Sequence, residues 1–76
     1  MYQSSSTRLF QDSAEQLAVR LEKEGSEAAR ALAREARELS LRFAEWQEKR
    51  PADEVRVATI QRLFELNRRA MDYVAA

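Results

Sequence analysis

Apolar residues recur along most of this chain every three or four positions, the period of an amphipathic helix and not the two-residue alternation of a strand. The clearest stretch is Ser26 to Trp46, SEAARALAREARELSLRFAEW. Its Ala29, Leu32, Ala36, Leu39, Phe43 and Trp46 fall within about a quarter of the helical wheel. The small residues come first and the large ones last. A neighbouring helix is therefore expected to approach closely near Ala29 and to be held apart near Trp46. This central helix is predicted over about 26–49, with the remaining segments arranged to cover it.

Residues 1–6 are polar and serine-rich and are expected to be a flexible N-terminal segment. A first helix is predicted over about 8–24, capped by Ser6 or Thr7, with Asp12 and Ser13 as later alternatives. Phe10, Ala14, Leu17 and Leu21 form its narrow apolar stripe, flanked by Leu9 and Ala18, while Val19 points away. Gly25 stands where a left-handed residue is wanted at a helix end, and Ser26 follows as an N-cap. The competing reading is one long helix through Gly25, at a cost of about 1 kcal/mol. Pro51 lacks an N–H and belongs in the first turn of a third helix, predicted over about 51–75, with Asp53 and Glu54 against its positive end.

The third helix carries two apolar stripes. One is Val57, Ile60, Phe64, Met71 and Val74; the other is Val55, Leu63, Leu66, Ala70 and Tyr73. Together they are wider than the face that packing on two neighbours requires. Either Leu66 and Tyr73 fill the flank against the first helix, or one edge stays exposed for a partner. The expected fold is all-α: an antiparallel three-helix bundle, up-down-up, over residues 7–76, with self-association extending its core. The expected core is Phe10, Leu17, Leu21, Leu32, Ala36, Leu39, Phe43, Trp46, Ile60, Leu63, Phe64 and Met71.

Composition narrows the chemistry. The 76 residues include one Gly, one Pro, no Cys and no His. That removes disulfides, thiolates, and the commonest general base and metal ligand. Glu35/Glu38 and Glu45/Glu48 have the i, i+3 spacing of helical metal sites, but those sites use His at the second position. Ser40 has no base beside it. No catalytic residue, cofactor or metal is expected, and the chain is not read as an enzyme. Thirteen basic residues balance thirteen acidic ones, so no long-range attraction to nucleic acid is expected, nor attachment to an anionic membrane. No segment approaches the roughly 18 apolar residues of a membrane span. MYQSSSTRLF lacks the pattern of a signal peptide, which leaves the cytoplasm as the default location.

Three groups of residues remain as candidates for recognition. Arg30, Arg34 and Arg37 share one side of the central helix and form a weak candidate for binding anions; the adjacent Glu27, Glu38 and Glu45 make a solvated, salt-bridged face the simpler expectation. Asn67 falls within the Ile60, Phe64, Met71 stripe, where an amide either sets register or reaches solvent at the bundle edge. Val55, Leu63, Leu66 and Tyr73 are the expected contact strip of a homodimer, since two-fold pairing is the commonest closed arrangement. The expected function is accordingly a protein-interaction or assembly module acting through the third helix.

ADEVRVATIQRLFELNRRAMDY, residues 52–73, resembles the closing helix of phasins, which coat storage-polymer granules. That resemblance implies an alternative function, an amphipathic coat on a lipid-like or polymer surface. Helices bounded by GS and RPADE turns, with AARALAREARELS between, also resemble the idealised patterns of designed bundles. A designed or purely structural bundle is thus a further alternative. Adjacent Arg68 and Arg69, the serine-rich start and Asn67 in an apolar stripe are features that idealised patterns avoid.

Overall fold

A computed structural model describes residues 5–74, with the side chains of 7–73, as three α-helices. They are α1 (Ser5–Glu24), α2 (Glu27–Glu45) and α3 (Asp53–Val74). They pack as the expected all-α, up-down-up bundle, 87% of the described residues being helical. The long axis of 39 Å is little more than the roughly 33 Å length of α3 itself, so the helices lie side by side.

The break between α1 and α2 falls at Gly25, whose φ of +84° is the only positive value among the described residues. The Gly25 N–H donates to Leu21 O at 3.3 Å and closes α1. Ser26 then caps α2: its Oγ accepts from the Ala29 N–H at 3.2 Å and donates to Glu24 Oε2 at 2.6 Å. One side chain thereby satisfies an orphan donor and ties it to the preceding helix end. The long-helix alternative is excluded.

Three boundaries differ from expectation. α1 begins at Ser5, so Thr7, expected as a cap, is a buried residue inside the helix. Ser5 and Ser6 also belong to α1, and only residues 1–4 of the expected flexible segment lie outside the described residues. α2 stops at Glu45, short of Lys49. There the Trp46 N–H turns to Phe43 O at 3.1 Å as well as Arg42 O at 3.3 Å, and Gln47 bonds Ala44 O at 3.1 Å. This three-residue tightening ends the helix before Pro51 can. α3 starts at Asp53, with the Arg56 N–H on Ala52 O at 3.0 Å.

The core tapers as the residue sizes imply. Between α1 and α2 lies a seam of small buried residues: Ala14, Ala18, Ala29, Ala33 and Ala36. Leu21 and Leu39 complete it. At the far end of α2 the rings gather. Phe43 packs edge-on to Trp46 (centroids 5.0 Å, 87°), and Phe10 meets Phe43 at 5.6 Å. Leu32 and Ile60 are partly buried against this core. α1 and α2 share the most extensive interface of the three.

Candidate interaction surface

α3 faces the hairpin with Thr59, Leu63, Leu66 and Ala70. The two leucines supply the apolar volume, and the small residues at either end let the helix lie close. The Thr59 hydroxyl is satisfied by donating to Val55 O at 2.7 Å. Leu63 and Leu66 are only 1% and 2% exposed, so the expected contact strip of Val55, Leu63, Leu66 and Tyr73 is not one surface. Its middle is core, and only Val55 and Tyr73 are exposed. Of the first reading of α3, in which Leu66 and Tyr73 fill the bundle flank, Leu66 is buried as expected and Tyr73 is not.

The other stripe is the one left outside. Val57, Phe64 and Met71, seven residues apart, are 50%, 59% and 61% exposed, with Ile60 half-buried among them. Phe64 and Met71 are therefore not core residues. Phe64 rests only the edge of its ring on Phe10, at 6.4 Å. Asn67 provides the physical reason for this rotation. Turning Ile60, Phe64 and Met71 inward would bury the Asn67 carboxamide between them, and an unpaired amide costs a few kcal/mol. As folded, Asn67 is exposed within the strip, the solvent-reaching alternative for this residue. Arg62 helps to hold the orientation by donating to Glu35 of α2 at 2.7 Å.

The arginine group of α2 is divided. Arg30 and Arg34 are exposed and make no ion pair among the described residues. Arg37 instead grips Glu22 of α1 with two bonds of 2.7 Å. The hydrogen bond from Arg37 is the main reason that the Glu22 carboxyl lies below its ordinary value of 4.5; the same bond first, then the carboxylate's charge, raises Arg37. With one member committed to a carboxylate, the three guanidinium groups do not form a joint anion site. The chemistry here is that of a clasp between helices.

Between α2 and α3 runs a groove of about 290 Å³, walled by Glu35, Glu38, Arg42 and Thr59. Glu35 Oε1 takes the Arg62 bond, while Oε2 is enclosed without a hydrogen-bond partner. The acids do not converge: among the described residues no three Asp or Glu side chains group as metal ligands would. No described helix is long and apolar enough to cross a membrane.

No protein-family model, curated protein or solved structure matches this chain.

What distinguishes α3 is therefore its own surface. Among the described residues, five of the eight large apolar side chains left exposed belong to it: Val55, Val57, Phe64, Met71 and Tyr73. Leu9, Val19 and Leu41 are scattered singly over α1 and α2, which is ordinary for a folded domain. The sequence signal for the outward strip was the seven-residue recurrence of Val57, Phe64 and Met71 around a polar Asn67, whose amide is costly to bury without a partner.

Proposed function

We propose that the chain is a non-enzymatic protein-interaction or assembly module, acting through the strip Val57, Ile60, Phe64 and Met71 of α3. One observation carries this reading. Large apolar side chains that the fold does not bury stand in line along one helix, and aligned exposure of that kind marks contact surfaces. Lipid-binding helices usually set such a strip between basic flanks. Here Glu54, Glu65 and Asp72 share the polar side of α3 with Arg68 and Arg69. The mixed sign favours protein over an anionic or polymer surface as the occupant. A second copy of the chain is the first protein to consider.

Photo-crosslinking tests the reading. A benzophenone side chain replacing Phe64 should yield protein adducts in a lysate of expressing cells. The same group replacing Leu41, an isolated exposed residue, should yield few. Neutral and anionic vesicles should leave both sedimentation and helicity unchanged. Vesicle binding that disappears with Phe64→Glu would transfer the strip to the surface-coat alternative.

A further inference from the structure

The apolar strip alone does not name its occupant, but the charges beside it do. Along its solvent side stand Glu54, Gln61 and Arg68, each seven residues from the next and all exposed. Glu54 and Arg68 enter no ion pair among the described residues. Their neighbours do: Arg56 approaches Asp53 at 3.8 Å, and Arg69 pairs with Glu65 at 3.1 Å. Acid, neutral amide, base is an order that complements itself when read backwards.

A two-fold axis crossing α3 near Gln61 would set a second α3 antiparallel to the first. Glu54 of each copy then faces Arg68 of the other, and Gln61 faces its own equivalent. The two helix dipoles oppose, which is their favourable arrangement side by side. The same operation brings Phe64 over Ile60 of the second copy. Parallel pairing would instead set this row against the opposite flank of the second helix, Arg56, Leu63 and Ala70, where Arg68 meets no carboxylate. The strip itself has the alternating three- and four-residue spacing of a helix-pairing seam, through Val57, Ile60, Phe64, Asn67 and Met71. In this register Asn67 would lie toward the end of the seam, opposite Val57 and away from the central Phe64–Ile60 layer, leaving its amide at the rim where water reaches it.

Building on the reading of the strip as a protein-contact surface, we infer that its partner is a second copy of this chain, docked antiparallel along α3 and aligned by two symmetry-related Glu54–Arg68 pairs. Sedimentation equilibrium from low to high micromolar concentration tests this, with circular dichroism confirming that each variant is folded. The native chain should dimerise reversibly, and Phe64→Glu should be a folded monomer. Glu54→Arg and Arg68→Glu should each weaken the dimer about tenfold, since each change makes two like-charged contacts. The double variant should return to within about threefold of native, because the swap restores both pairs. A native chain that stays monomeric at the highest concentration overturns the inference. So does a dimer that survives Phe64→Glu, or a double variant no tighter than the singles. A monomer that still crosslinks from position 64 to a different protein leaves the interaction reading standing, so the two failures are told apart. The charge variants alter only exposed residues and remain informative if Phe64→Glu fails to fold.

Discussion

The α1–α2 hairpin and α3 are held by different means. The hairpin closes over alanines, backed by Leu21, Leu39 and Phe43, with a capped turn at one end and edge-packed rings at the other. α3 lies against this hairpin with two leucines flanked by a threonine and an alanine. Close backbone approach gives the hairpin many weak contacts per residue, and dispersion sums over them. α3 has fewer, and it leaves Val55, Val57, Phe64, Met71 and Tyr73 exposed. A bundle built this way has a firm half and a more lightly attached one. Amide hydrogen exchange should accordingly show the inner amides of α1 and α2 slower than those of α3.

The largest expected effect attacks the firm half. Phe43→Ala removes a fully buried ring that touches both Phe10 and Trp46, and should cost about 3–5 kcal/mol. A domain of this length has only about 4–11 kcal/mol in all. Denaturant melts should therefore find the midpoint of this variant far below the native one. Leu66→Glu tests how α3 is attached and should cost about 3 kcal/mol, because a carboxylate replaces a core leucine. Phe64→Glu, two residues away on the same helix, should cost less than about 1 kcal/mol. Equal losses in these two melts would show that α3 has no distinct inner and outer face.

Smaller changes sharpen the contrast. Gly25→Ala should lose about 1–2 kcal/mol through the left-handed backbone alone, since a Cβ there meets nothing nearer than Lys23 O at 3.8 Å. The smallest effect concerns the Glu22–Arg37 clasp. The Glu22 carboxyl is lowered in the folded chain. Its contribution is thus complete above the ordinary carboxylate value and fades as the pH falls through the lowered one. Both side chains are about half exposed, so the change should be slight and weaker in salt. Glu22→Gln should flatten that part of the acid-side decline in melting temperature, and a profile identical to native would remove the clasp from the account.

Where a backbone conformation admits few residue types, the structure could be read in advance. Gly25 followed by Ser26 has few other uses, and it marks the turn to the residue. The taper from Ala29 to Trp46 was equally legible, because size and period act together there. α3 was not. Its two stripes are nearly equal in apolar content, so periodicity cannot choose between them. The choice was made by one amide at Asn67 and one ion pair at Arg62, terms that are small beside the volume of Phe64 and Met71. The early end of α2 was hidden for a similar reason. Cations at Lys49 and Arg50 suit a helix end, but the backbone had already tightened at Trp46. Of the exposed apolar strip, the helix was visible in the sequence and the face was not.

Trp46 has a practical use that follows from its position. It is the only tryptophan in the chain, and it lies just beyond α2, 7% exposed, against the ring of Phe43. Its fluorescence therefore watches the wide end of the bundle and is blind to the turn at Gly25, whereas circular dichroism averages over every helix. Following both signals through one thermal ramp turns the molecule into its own two-channel thermometer. Coincident curves would mean that the ringed end and the glycine end let go together, and an early emission shift would mean that the wide end opens first.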